Sequence, residues 1–559
     1  MASSRTLYLG LLLFGLSWLG YDHYRPWVNF HSEALACAGL LLLVASRLLD
    51  RGALPACPAI ACWPLAAAAS AWLWWVLGIG LFAGDALMAS LYLAALAAAL
   101  AVGMAWVRHP APAVRERVLV GFAAAVAFAA IASAAIGLLQ WLALTGPLGM
   151  YVVQGDPGDR AMGNLGQPNQ LATLLLTGMA ALLMLFEWRR VGRAVLALAI
   201  GFLTLVLVLT QSRSGMVGVL VAAVFLGWKA PQFPRLRRAA VLAWVAGFAL
   251  ATAVQPVVAD ALLLGGGRGA ASLAHTGDRL SIWSQVAAGI AQAPWAGYGW
   301  LQTPTAQAAA AATVPGDLTY GFAHNVVLDL MAWNGIPLGL LWTGLVAWWL
   351  CVRLARASAP LAVAALAGLL PLAVHSLLEF PFAYAYFLVL AGLLAGIVEA
   401  LHPGARAHPL RLRWAWPAFA CAAVLGVAIC REYLLVEEDF RVVRFENMRI
   451  GRTPDDYRVP EIRLLTHMGE MLAAARMRPA PQMAAQDLER LRRTALRFPF
   501  GSLHLRYAGA LALNGDPAGA ERQMRVIAGM FGASYHAAAQ AELRALVERY
   551  AAEAPGGLH

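Results

Sequence analysis

Thirteen apolar runs separated by polar gaps leave this chain few ways to fold. They cover 7–21, 34–46, 60–82, 86–107, 118–143, 171–186, 194–209, 215–228, 239–258, 326–352, 359–378, 383–401 and 414–431. About 20 apolar residues cross roughly 30 Å of hydrocarbon as a helix, and backbone inside lipid must bond to itself. The expectation is an all-α polytopic membrane protein with about 13 transmembrane helices. Gly335 and Pro337 interrupt one run and predict a kink there. With 61% hydrophobic and 13% charged residues, the chain is neither an ordinary soluble enzyme nor disordered. Its net charge of +11 predicts no nucleic-acid partner, because the basic residues sit mainly in the gaps between runs. The six cysteines form no Cys-x-x-Cys pair and read as small packing residues. Arg5 followed by Leu7 to Leu19 imitates a secretory signal, but no small-residue cleavage site follows, so none is expected.

The gaps are asymmetric. One alternating set holds 18 Lys and Arg, among them Arg47, Arg51, Lys229 and Arg353; the other holds only Arg25, Arg160, Arg213, Arg268 and Arg279, with nine carboxylates. Positive-inside logic places the first set in the cytoplasm, where it reads as anchoring. The second face then carries three long gaps: 22–33, 144–170 and 259–325. The last is too long for a plain connection. It contains Gly265-Gly266-Gly267 and an amphipathic run from Arg279 to Ala293. After residue 431 the chain becomes charged and Ala-rich with helical periodicity. The domains expected are thus a membrane domain, 1–431, and a soluble helical domain, 432–559, on the outer side. Leu503, Tyr507 and Leu511, then Asn514-Gly515-Asp516 and Ala518, read as one helix-turn-helix of tetratricopeptide type.

Ionisable groups at a membrane edge are candidates for function. Arg213, in Thr210-Gln211-Ser212-Arg213-Ser214-Gly215, sits in a tight polar turn where a guanidinium either forks onto phosphate or snorkels to headgroups. Arg279 follows Thr276-Gly277-Asp278 and has Trp283 one turn on, in a helix that is catalytic or merely interfacial. His324 stands at a loop-to-helix junction before Asn325, with Asp329 four residues after Asn325; it is a general base, or else a capping or headgroup-facing residue. His375 and Glu379 are spaced i,i+4, too few for a zinc site, and read as a supporting pair with no metal. Arg160 opens Arg-Ala-Met-Gly-Asn-Leu-Gly-Gln-Pro-Asn-Gln, whose glycines and Pro168 shape a turn lined by Asn164, Gln167, Asn169 and Gln170. Asp85 lies in a short outer hairpin after Gly84.

Gly-Asn-Leu-Gly-Gln-Pro-Asn at 163–169, Gln-Ser-Arg at 211–213, Arg279 with Trp283, Pro294 with Gly297-Tyr298-Gly299, and Ala-His-Asn at 323–325 together resemble the O-antigen ligase and polymerase (Wzy_C) superfamily. His-Ser-Leu-Leu-Glu-Phe-Pro at 375–381 resembles more narrowly the pilin-glycosylating O-oligosaccharyltransferases of the PglL type. So do His23-x-x-Pro26-x3-Phe30-x2-Glu33, Gly84-Asp85 and the soluble tail. One departure is Gln170, where that family more often has His. The resemblance implies metal-independent transfer of a glycan from undecaprenyl pyrophosphate to a Ser or Thr hydroxyl of a periplasmic protein such as type IV pilin, at the periplasmic face of a bacterial inner membrane, without a cofactor. It implies that Arg213 and Arg279, with Arg160 as a third contact, hold the pyrophosphate, and that His324 activates the acceptor. Asn325, His375, Glu379, Gln167, Asn169 and Asp85 would orient or support.

Three other classes compete. An O-antigen ligase transfers to lipid A–core, an O-antigen polymerase to a lipid-linked acceptor, and a polytopic transporter or scaffold transfers nothing. A transporter gathers ionisable groups at the bilayer midplane, whereas here they collect at the outer edge.

Overall fold

The computed structural model describes residues 2–50, 56–264 and 277–553. Gly265-Gly266-Gly267, Arg268 and Arg51 lie outside the described residues. Each of the thirteen apolar runs is helical over most of its length, although 7–21 and 60–82 run on past helices that end at Leu16 and Val76. Among the described residues, ten helices are long and apolar enough to cross a membrane. The segments Ser4–Leu16, Arg193–Leu209 and Ala385–Ala400 are apolar but shorter. The last run is the start of a longer helix, Leu412–Met448, because the charged sequence after Arg431 keeps good helix formers. One small sheet departs from the all-α expectation: Ala56–Pro58 pairs antiparallel with Ala407–Pro409, with Cys57 opposite His408.

The chain forms two compact units. The first comprises Met1–Ala66, Tyr92–His275 and Val346–Val427. Its core is built around helix Pro168–Glu187, in which every residue from Gln170 to Phe186 is buried. Pro168 starts this helix because its fixed φ suits the first turn and its missing N–H is not needed there. Helix Pro112–Trp141 approaches so closely that a Cβ on Gly178 would stand 2.2 Å from the Ala130 methyl. Small residues permit that approach, as expected where lipid supplies no hydrophobic drive between helices. Two residues counted as cytoplasmic anchors are buried instead. Arg353 forks onto Glu399 at 2.6 and 2.9 Å, and Trp349 donates to the same carboxylate oxygen. Lys229 donates to the carbonyls of Ala355 and Ala357 at the end of helix Val326–Arg356. Spacing alone could not show this, since their partners lie on other helices.

The second unit comprises Ala67–Leu91, Thr276–Leu345 and Ala428–His559. The expected kink is present: Gly335 has φ 76° and ψ 170° inside helix Val326–Arg356. Its cause is the segment 294–299. Tyr298 and Gly299 donate to the carbonyls of Ala332 and Trp333, and Ile336 donates to Pro294, so the loop satisfies three backbone groups beside the break. A Cβ at 335 would meet the Trp295 carbonyl at 2.3 Å, which leaves glycine as the residue that fits.

The tail folds into helices Thr466–Arg476, Ala485–Arg497, Gly501–Leu513 and Pro517–Glu553, the last broken at Gly532. The helix-turn-helix expected at 503–518 is there, with Gly515 at φ 85° in the turn. Its packing face differs from the expected one. Leu503 is buried, Tyr507 and Leu511 are half-buried and Ala518 is exposed; Ala508, Met524 and Ile527 form the contact instead. His504 is fully buried, and Gln523 donates to its Nδ1 at 2.6 Å. Burial pushes this imidazole down to about 4, so the folded domain holds it neutral. The unfolded chain, titrating near 6.5, binds more protons between those values. The stability His504 contributes is therefore complete above about pH 6.5 and is lost as pH falls toward 4, at most about 3 kcal/mol. Thermal unfolding followed from pH 7 to 4.5 should show a smaller acid loss in His504→Gln than in the unaltered protein. Equal losses would remove this histidine from the account.

Candidate active site

In the first unit, motifs separated by more than 200 residues of sequence meet on Asn169. Its Oδ1 accepts from Ser212 at 2.7 Å and from Arg160 at 3.4 Å, while its Nδ2 donates to Glu379 at 3.1 Å. Thr173, one helical turn on, bonds to His375 Nδ1 at 2.9 Å. Two i,i+4 pairs, Asn169/Thr173 and Glu379/His375, thus face each other across two antiparallel helices, Pro168–Glu187 and Pro360–Leu378. The sequence pairs His375 with Glu379; the structure commits each of them to the 169–173 turn. Gln167 precedes this helix as its cap residue, and its side chain makes no capping bond.

Arg213 begins helix Arg213–Lys229. The helix starts here because Gln211 turns the chain at φ 46° and Ser212 Oγ accepts from Gly215 N at 3.0 Å. Arg160 is held to the same turn by its Nε on the Thr210 carbonyl at 2.8 Å. Two guanidiniums and a helix amino terminus therefore share one edge of this unit, an arrangement suited to anions.

Residues beyond those given site roles extend the polar framework of this unit. Gln140 shapes the Gly163 turn: its Oε1 receives the Met162 and Gly163 amides, and its Nε2 donates to Val153 and Gly163 carbonyls. A lone Gln in a 26-residue apolar run was its signal. Ser212 and Thr173 gave none, since hydroxyls are common in helices. Glu33 receives the Trp27 indole, the Tyr92 hydroxyl and the Ala385 amide, and so ties the early His23-to-Glu33 motif to the segment after Pro381. Gln170, the departure noted above, is buried and accepts from the Tyr386 hydroxyl at 2.7 Å.

The second unit holds His324. The residue lies at φ 54°, a left-handed conformation that costs a non-glycine residue about 1 kcal/mol or more. The preceding residue is clamped through both of its backbone polar groups. Trp283 Nε1 donates to the Ala323 carbonyl at 3.0 Å, and Asp329 Oδ1 accepts the Ala323 amide at 2.8 Å. Asn325 caps the following helix by accepting from Val327 N at 2.9 Å, so the capping role belongs to Asn325 and leaves His324 for other work. Arg279 stands one turn before Trp283 on helix Gly277–Gln292, whose buried face is Ile282, Gln285, Val286 and Ile290. Trp283 thus ties the helix that carries Arg279 to the His324 turn. Asp85 is also in this unit. It is 2% exposed, ion-paired with Arg497 at 2.9 Å and bonded by Gln302 at 2.8 Å, so it supports structure rather than facing solvent.

Three family profiles match parts of the chain: a virulence factor membrane-bound polymerase, C-terminal region, at residues 363–545; O-antigen ligase at 196–343; and protein glycosylation ligase at 161–186. The chain is thus similar to the O-antigen ligase superfamily of membrane glycosyltransferases. Within that superfamily, it most resembles the PglL-type O-oligosaccharyltransferases. It is 28% identical to a general O-oligosaccharyltransferase of Acinetobacter baylyi over 510 residues, 87% of this chain and 85% of that relative. It is 28% identical to a ComP-specific O-oligosaccharyltransferase of the same species over 264 residues, 44% of this chain and 46% of that relative. No solved structure matches.

Proposed function

We propose that the protein transfers a glycan en bloc from undecaprenyl pyrophosphate to Ser or Thr hydroxyls of a periplasmic acceptor protein such as a type IV pilin. The reaction runs at the outer face of a bacterial inner membrane crossed thirteen times. The observation that carries this reading is the likeness to a general O-oligosaccharyltransferase along 87% of the chain. The 18-to-5 bias of basic residues supports the orientation.

The chemistry follows from the groups named above. The acceptor oxygen bonds to the anomeric carbon while the bond from that carbon to the pyrophosphate breaks. Negative charge collects on the leaving phosphates, where Arg213, Arg279 and Arg160 neutralise it. His324 takes the hydroxyl proton and releases it to solvent. Asn325, Glu379, His375, Gln167 and Asn169 fix the turns that carry these groups, and Asp85 braces the second unit. No step calls for a metal or a cofactor.

Deleting the gene in its host tests the acceptor. The expected result is pilin lighter by one glycan, read by intact-mass analysis, with unchanged lipopolysaccharide on a gel. Unchanged pilin with truncated lipopolysaccharide would establish instead a ligase acting on lipid A–core, the reading that the O-antigen ligase match favours.

A further inference from the structure

The turn that carries His324 is braced from the far end of the chain, entirely within the second unit. Asp329, wholly buried, holds the Ala323 amide with Oδ1, and the same oxygen receives the Thr303 hydroxyl at 2.7 Å. Thr303 in turn receives the Trp333 indole at 2.8 Å. Thr303 begins the short helix Thr303–Ala310, and this helix is fastened to the tail at two points. Thr305 donates to the Leu496 carbonyl at 3.1 Å. Gln302 donates to Asp85, whose other oxygen takes both Nε and Nη2 of Arg497 at 2.9 Å. The Asp85 hairpin is itself clasped by the tail. Gly84 N donates to Thr466 Oγ1 at 2.9 Å, and the Arg493 guanidinium lies 4.5 Å from the Phe82 ring centre.

Gln302 and Thr303 are adjacent, so a shift of helix Ala485–Arg497 reaches Asp329 through one peptide unit and one hydroxyl. The linked groups are buried: Asp85 is 2% exposed, and Gln302, Thr303 and Asp329 are fully enclosed. Each bond between these members is made, and leaving one of them unpaired in so buried a chain costs more than the bond itself contributes. His324 occupies a strained conformation that persists only while its surroundings enforce it.

We propose that the C-terminal helical domain is a positioning element of the transfer reaction, acting through Arg497, Asp85, Gln302, Thr303 and Asp329 on the His324 turn. This rests on the reading of His324 as the acceptor-activating group. None of the five need touch substrate, so their loss should appear in turnover and not in donor binding.

The test uses the purified full-length protein with lipid-pyrophosphate-linked glycan and an acceptor protein, with rates expressed per folded molecule. Thr303→Val removes the hydroxyl at constant shape, and Thr303→Ser restores it. Arg497→Ala removes the ion pair, and Arg497→Lys restores its charge. The expected result is a kcat about 10- to 100-fold lower in Thr303→Val and Arg497→Ala, as for a displaced catalytic group, with donor KM changed less than about twofold. Ser and Lys should recover most of the rate. If Arg497→Ala does not fold, the Thr303 pair decides. Unchanged kcat per folded molecule in Thr303→Val, or a loss confined to the folded fraction, overturns the proposal. A wild-type protein that transfers no glycan to any protein or lipid acceptor overturns the functional reading and this one with it. An active wild type with indifferent variants overturns this one alone.

Discussion

Replacing Arg213 or Arg279 with alanine should lower glycan transfer about 10²–10³-fold, the loss expected when one fixed stabiliser of developing charge is removed. Arg213 opens a helix whose amino-terminal N–H groups already favour anions. Arg279 is seated one turn from Trp283, which is bonded to the His324 turn. Lysine at either position should restore little, because an ammonium cannot fork onto two phosphate oxygens. The measurement is turnover with purified lipid-linked donor in variants that insert normally. Near-normal turnover in either alanine variant would reduce that arginine to an anchor.

His324→Ala should stop transfer almost completely, since proton removal from a hydroxyl commonly contributes 10²–10⁴ in rate. Donor affinity should survive, because the arginines hold the pyrophosphate. His375→Ala should be milder: its partner Thr173 belongs to a turn that supports Asn169. Donor affinity and turnover measured on one detergent preparation decide the matter. Turnover within a fewfold of wild type would move the base elsewhere, with Glu379 next. Affinity lost together with turnover would make His324 a donor ligand.

The sequence exposes the helices because each apolar run stands alone as a signal. It exposes Arg213, Arg279 and His324 because charge at a membrane edge is costly and therefore conspicuous. It hides their supports. Asn169 reads as one more polar residue in a turn until Ser212, Arg160 and Glu379 are seen to share it. The Arg497–Asp85 pair spans 412 positions, and no local pattern encodes so distant a partner. Arg353 and Lys229 mislead for the opposite reason: their composition matches cytoplasmic anchors, and only Glu399 and the carbonyls of Ala355 and Ala357 reveal them as interior groups.

The break at Gly335 sets where a chimera between relatives can be cut. A junction placed at the start of the helix, near residue 325, would give the helix from one parent and the segment 294–299 from the other. The bare carbonyls of Ala332 and Trp333 would then depend on a foreign loop to reach them. The exchangeable cassette therefore extends past the apparent end of the loop and takes in the first ten residues of the following helix. Grafts of acceptor preference that stop short of Gly335 separate a lock from its key.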